Sequence, residues 1–152
     1  MQKHITIAVA LALVSGSSFA VDSSITKSAT PNRIVVAKAG AGIVRFGVLS
    51  SDFPSDRSLI FATKRLTSIN WETTYYPDNV EKKVEICYYR PHRHSEPDLC
   101  RPILPNLSGT VYDFNSLAFD TGASVVIRHV IEGGKNYGTA AGVDRVTINY
   151  SY

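Results

Sequence analysis

Residues Asp144–Tyr152, DRVTINYSY, alternate apolar and polar side chains up to the last residue of the sequence. Side chains along a β-strand point alternately to its two faces, so Val146, Ile148, Tyr150 and Tyr152 share one face. A strand with one apolar face is typical of a sheet that covers a hydrophobic core. This segment therefore predicts that the sequence ends on a core strand of a β-protein.

The same period of two recurs along most of the chain. Short runs rich in Val, Ile, Thr, Tyr and Phe cover residues 34–37, 43–49, 59–66, 69–76, 84–89, 110–114, 123–131 and 143–152. Segments rich in Gly, Pro, Asn and Asp, such as YPDN and EGGKNYGTAAG, separate these runs and are typical of turns. No segment shows a convincing amphipathic helix. Regularly spaced short strands predict an all-β fold, and for this length an immunoglobulin-like β-sandwich.

The first 20 residues, MQKHITIAVALALVSGSSFA, have the pattern of a secretory signal peptide. Lys3 precedes an apolar run, and small residues end at Ala20, where we expect cleavage. We divide the remainder into an N-terminal extension, residues 21–32, and one sandwich domain, residues 33–152. Lys and Arg number 16 against 13 Asp and Glu, an excess too small to indicate nucleic-acid binding. The sequence therefore predicts an exported single-domain protein.

Cys87 and Cys100 are the only cysteines of the chain. In the oxidising environment of an exported protein such a pair predicts one disulfide, which would stabilise the fold by about 3 kcal/mol in the chain-entropy model. A zinc site is the alternative, because His92, His94 and Asp98 lie between the cysteines, but the spacing fits no zinc-ligand pattern. We expect no metal and no cofactor.

The segment that begins after Cys87 and ends just past Cys100 is basic and aromatic. Residues 88–102, YYRPHRHSEPDLCRP, bring together candidate receptor-binding residues: Tyr88, Tyr89, Arg90, His92, Arg93, His94 and Arg101. A loop of this composition can bind a sialylated or sulfated glycan or an acidic protein surface, more strongly when its histidines carry a proton. The alternative is a solvated surface loop without a ligand. His129 lies on a predicted strand, and we interpret it as a structural histidine.

The two ends of the chain resemble those of chaperone-usher fimbrial subunits. Gly138 lies twelve residues before Tyr150, and this glycine-tyrosine separation around an alternating last strand is similar to the C-terminal signature of that family. Residues 21–34, VDSSITKSATPNRI, resemble its N-terminal donor segments. Residues 119–152 resemble the final third of the subunits of coli surface antigen six and similar polyadhesins.

This resemblance implies an incomplete immunoglobulin-like fold that lacks its last strand. In the family a periplasmic chaperone lends a strand, an outer-membrane usher exports the subunit, and the N-terminal segment of the next subunit replaces the chaperone's strand. The implied function is a structural and adhesive subunit of a cell-surface fimbria that attaches to a host glycan or protein receptor. The implied donor-strand residues are Val21, Ser23, Ile25, Lys27 and Ala29; the implied groove-lining residues are Gly138, Val146, Ile148, Tyr150 and Tyr152.

Several alternatives stay open. Residues 21–32 can be a frayed terminus, and Ser23 and Lys27 depart from the apolar pattern that suits a donor strand. The chain can also be a monomeric secreted glycan- or protein-binding module whose sandwich is completed by its own strands. An enzyme is a third class, but the sequence shows no GxSxG or HExxH motif, and we expect no catalytic residues.

Overall fold

The computed structural model describes residues 21–36 and 40–152. The predicted signal peptide and Ala37, the end of one predicted strand, lie outside the described residues. The strands are β1 (Asp22–Ala29), β2 (Ile34–Val35), β3 (Gly40–Gly47), β4 (Arg65–Glu72), β5 (Asn79–Tyr89), β6 (Leu99–Ile103), β7 (Ser108–Val111), β8 (Ser124–Gly134), β9 (Tyr137–Gly138) and β10 (Asp144–Ser151). A 3₁₀ turn (Ser50–Asp52) and one short helix, α1 (Arg57–Ile60), connect β3 to β4. Within the described ranges, no helix has the length and apolar character needed to cross a membrane.

The described residues form two four-stranded antiparallel sheets and a small two-stranded sheet, β2–β9. The first has the strand order β1-β10-β4-β7, and the second has the order β3-β8-β5-β6. Their inner faces share one hydrophobic core, in which Ile69 and Ile148 of the first sheet join Ile86 and Ile127 of the second. All four of these side chains are fully buried. The predicted all-β sandwich is therefore confirmed.

Several predicted strand bounds differ from the structure, and two differences, at residues 59–66 and at β6, are the largest. Residues 59–66 do not form one strand, because Asp56 caps α1: its carboxylate accepts a hydrogen bond from the Ser58 amide at 2.9 Å. β6, which the strand pattern did not predict, forms because it pairs with β5 in a hairpin, despite the proline at position 102. Both differences arise from contacts that a period-two pattern does not encode.

The N-terminal segment completes the first sheet within the same chain. β1 pairs antiparallel with β10 from Asp22 opposite Ser151 to Ala29 opposite Asp144, and β4 pairs with the other edge of β10. In this structure, β1 of the same chain occupies the position beside β10 that the family resemblance assigns to a donor strand. Residues 22–29 are likewise a paired strand and not a frayed terminus.

β1 uses the face predicted for a donor strand. Ile25 is buried, and Ser23 and Lys27 are partly buried, whereas Val21 and Ala29 are exposed. The Lys27 amine lies 2.7 Å from the Asp52 carboxylate, so this lysine does not enter the sheet interface without a counter-charge. The ion pair explains how a strand with only one buried apolar side chain tolerates lysine at an inward position.

The predicted groove-lining residues divide into two groups. Val146, Ile148 and Tyr150 of β10 are buried in the core, and Tyr152 packs at its edge. Gly138 belongs instead to the small β2–β9 pair, where it lies opposite Ile34. A Cβ atom at Gly138 would come within 2.9 Å of Ile34 Cγ1 and 2.7 Å of Asn79 Oδ1. The placement of Gly138 in a groove beside β10 is therefore wrong, and close packing explains why glycine stands there.

Candidate functional site

The candidate site is the loop between β5 and β6, residues 90–98, hereafter the β5–β6 loop. Cys87 and Cys100 lie directly opposite each other in the two strands and form a disulfide with an S–S distance of 2.03 Å. The predicted disulfide is therefore confirmed. Because both sulfur atoms are in this bond, neither cysteine can serve as a thiolate ligand to zinc. The disulfide closes the loop at its base.

Asp98 organises the loop from inside. Its carboxylate accepts hydrogen bonds from the Arg90 amide at 2.8 Å, from Arg90 Nε at 2.6 Å and from Arg93 Nη1 at 3.0 Å. The Asp98 amide donates to the Tyr88 carbonyl at 2.9 Å. Burial by itself would raise the pKa of Asp98, but the hydrogen bonds from Arg90 and Arg93 outweigh it and lower that pKa. The hydrogen bonds from Arg90 and Arg93 to one carboxylate therefore fix the shape of the loop.

The polar candidate residues lie on the surface of this loop. Arg90 is partly exposed, and His92, Arg93 and His94 are exposed. His92 has a φ of 63°, so the chain turns through the left-handed region at this residue. Arg101 lies on β6, where its Nε is 3.1 Å from Asp113 Oδ1. The structure therefore brings Arg90, His92, Arg93 and His94 together, and it places Arg101 in a separate ion pair.

The two tyrosines do not belong to the exposed surface of the loop. Tyr88 is fully buried, stacks on Phe114 at 5.7 Å and donates its hydroxyl hydrogen to the Ala118 carbonyl at 2.8 Å. Burial raises the pKa of Tyr88 above its ordinary range. Tyr89 is partly buried, and the Arg45 guanidinium lies 4.4 Å from its ring centroid. The prediction of Tyr88 as a receptor contact is wrong, because inward alternation along β5 takes it into the core.

A second group of ionisable residues lies away from the loop and joins the two sheets. His129 of β8 is fully buried, with Nδ1 2.7 Å from Glu81 Oε1 of β5 and Nε2 3.0 Å from Asp144 Oδ2 of β10. Asp144 also accepts a hydrogen bond from the Thr74 amide at 2.8 Å. Burial would lower the pKa of His129, but the carboxylates of Asp144 and Glu81 raise it to about 9. Both ring nitrogens of His129 therefore have a partner inside the fold, which is the arrangement expected of a structural histidine.

Sequence reasoning missed the acidic partners in both clusters. Asp98 entered only as a possible zinc ligand, and Glu81 and Asp144 were not singled out. Asp144 offers a weak signal, because it occupies an inward position of an alternating strand, where an acid requires a partner. In the described ranges, 21–36 and 40–152, no three His, Cys, Asp or Glu side chains are grouped so that they could hold a metal ion.

Comparisons with known proteins add little to this description. No protein-family model and no curated protein matches the chain. A solved structure described as FLHE is 13% identical, with a TM-score of 0.48 over 86% of this chain and 98% of that one. A decameric BFDV capsid protein is 10% identical, with a TM-score of 0.49 over 88% of this chain and 99% of that one. At TM-scores below 0.5, neither likeness supports a function.

Proposed function

We propose that this chain is an exported binding module, a small β-sandwich that completes its own sheet and presents the β5–β6 loop to an acidic ligand. The observation that supports a self-complete module is the pairing of β10 on both edges, with β1 on one side and β4 on the other. β1 of the same chain covers the edge of β10 that would otherwise be unpaired.

The ligand class follows from the arginines of the loop. Asp98 holds Arg90 and Arg93 through one guanidinium nitrogen each, and within residues 21–36 and 40–152 their other guanidinium N–H groups have no hydrogen-bond acceptor, so that they can donate to a carboxylate or sulfate. The disulfide and the Asp98 hydrogen bonds fix the loop before binding, so little conformational entropy is lost when a ligand binds. We therefore propose a sialylated or sulfated glycan as the ligand, with an acidic protein surface as the alternative.

Binding of sialylated and sulfated oligosaccharides to the purified chain without its predicted signal peptide tests this proposal. Arg93→Ala should weaken binding about tenfold, because hydrogen bonds to a charged group contribute about 1.5–3 kcal/mol. Lys82→Ala is the matched control: it also removes one exposed positive charge, which pairs with Glu132 far from the loop. The proposal is wrong if no acidic ligand binds or if the two variants bind alike.

A subunit of a chaperone-usher fimbria is the second candidate, and the edge position of β1 favours it. β1 is the first described strand, pairs along one edge only, and contributes one buried apolar side chain, Ile25. Such a terminal strand can be exchanged between copies of a chain. On this candidate, β1 of the next subunit pairs with β10 of the subunit before it, and the partners are a periplasmic chaperone, an outer-membrane usher and neighbouring subunits.

The molar mass of the protein purified for the binding experiment also distinguishes the two candidates. A self-complete module keeps a monomer mass in light scattering from low to high concentration. A mass that grows with concentration, or recovery only as a complex with a chaperone, would favour the fimbrial subunit.

A further inference from the structure

A cavity beside α1 has features of a small-molecule site. It has a volume of about 490 Å³ and opens between the 3₁₀ turn, α1 and the turn that follows Phe119. Phe53, Pro54 and Ile60 give it an apolar wall, and Lys64 and Asp120 provide its charges. None of its lining residues belongs to the β5–β6 loop. Cavities that combine apolar walls with a few fixed polar groups are typical ligand sites.

Lys64 supplies a buried positive charge to this cavity. Its side chain is 3% exposed, and its amine lies 4.9 Å from the centroid of the Phe53 ring. Three oxygen atoms surround the amine, the carbonyls of Ile60 and Ala62 and one carboxylate oxygen of Asp120, each at 3.3 Å. Charge-assisted hydrogen bonds are usually 2.7–2.9 Å long. Among the residues that the structure describes, the ammonium therefore has three long contacts and no short one.

Asp120 is a weakly held partner of this lysine. Its side chain is 55% exposed, and the same oxygen that faces Lys64 accepts a hydrogen bond from the Thr121 amide at 2.8 Å. An exposed carboxylate gains little from an ion pair at this distance, because water competes for it. A carboxylate from a ligand can therefore replace Asp120 at the lysine.

We propose that this cavity binds a small ligand in which a carboxylate is attached to an apolar, aromatic or branched body. The ligand carboxylate takes the place of Asp120 against the Lys64 amine, and the apolar body packs on Phe53, Pro54 and Ile60. The proposal does not depend on the function of the β5–β6 loop.

N-acetylphenylalanine and its uncharged amide are the probes that test this site, with binding measured by calorimetry and by the amide shifts of the lining residues. The acid should bind at least about tenfold more tightly than the amide, because only the acid forms the charged hydrogen bond to Lys64. Equal binding of the two probes, or no binding of the acid, would overturn the proposal.

Two substitutions with opposite expected effects sharpen the test. Lys64→Met keeps most of the unbranched apolar stem but removes the charge, and it should reduce binding of the acid to that of the amide. Asp120→Asn removes the competing carboxylate and should tighten binding of the acid by about twofold to fivefold. Lys135→Met, at an exposed lysine that pairs with Asp78, is the control for net charge and should bind as the unmodified protein does. If Lys64→Met does not fold, Asp120→Asn decides: unchanged or weaker binding of the acid contradicts the proposal.

Discussion

At the scale of single residues, His129 shows how one side chain connects the two sheets. Its imidazole lies between a carboxylate on β5 and another on β10, and the Tyr76 ring packs edge-on against it at 5.5 Å. With both ring nitrogens facing carboxylates, the cluster is satisfied when the imidazole is protonated. The charged form is thus the one that the fold stabilises.

Stability should accordingly fall as the solution becomes alkaline. The pKa of His129 is raised in the folded chain to about 9, above the ordinary value of 6.5. The stabilisation from this group is then fully present below about pH 6.5 and is lost as the pH rises through about 9. We expect the free energy of unfolding, measured by urea titration, to decrease between these pH values.

His129→Gln tests whether this residue causes the pH dependence. The variant leaves the two buried carboxylates without a counter-charge and should lose about 3–5 kcal/mol of stability near neutral pH. Its free energy of unfolding should also change much less between pH 6.5 and 9 than that of the unmodified protein. His94→Gln, at an exposed position of the β5–β6 loop, is the control. Equal pH profiles for the two variants would show that His129 is not responsible.

At the scale of elements, β1 is the strand on which the arrangement of the first sheet depends. Its eight residues pair with β10, but only Ile25 enters the core, while Lys27 pairs with Asp52. Most of the apolar contribution of β1 therefore comes from one side chain. This makes β1 sensitive to substitution at position 25 and tolerant elsewhere.

Ile25→Ala should lower the free energy of unfolding by about 2–5 kcal/mol, as expected for truncation of a buried isoleucine. Val21→Ala removes apolar atoms at an exposed position just before β1 and should change the free energy of unfolding by less than about 0.5 kcal/mol. Urea denaturation of both variants provides the comparison. Similar losses for the two variants would mean that Ile25 does not anchor β1 to the core.

The sequence predicted the positions and inward faces of the strands better than it predicted which strands pair with each other. Alternation identified the inward faces of β10 and β1 correctly, because that period is a local property of the sequence. Alternation does not say which strand lies beside which, so the pairing of β1 with β10 and the placement of Gly138 beside Ile34 depend on distant contacts. β6 was missed for the same reason: it forms where Cys100 meets Cys87 across the hairpin.

The candidate site was predictable only in part. Charge and cysteine spacing located the β5–β6 loop and its disulfide. They did not show that Asp98 lies inside the loop and takes up part of the charge of Arg90 and Arg93, or that Tyr88 turns into the core. The Lys64 cavity gave no sequence signal, because α1 and the turn at Asp120 come from distant parts of the chain.

At the scale of the whole molecule, the main question is whose strand completes the first sheet. In the structure, Thr26 of β1 and Thr147 of β10 face each other, with their hydroxyl oxygens 2.9 Å apart. Both are on the outer face of the sheet, away from the core, so a pair of cysteines at these positions can report strand pairing without disturbing the packing. Thr110 lies on β7, two strands beyond β10, and provides a control position.

The most direct measurement is therefore oxidation of a Thr26→Cys, Thr147→Cys double variant, followed by electrophoresis under denaturing, non-reducing conditions. A chain that completes its own sheet should form the bond within one molecule and run as a monomer at every protein concentration, whereas Thr26→Cys with Thr110→Cys should form no such internal bond. A ladder of covalent multimers from the Thr26→Cys, Thr147→Cys variant would contradict self-completion and show that β1 pairs with the β10 strand of a neighbouring chain.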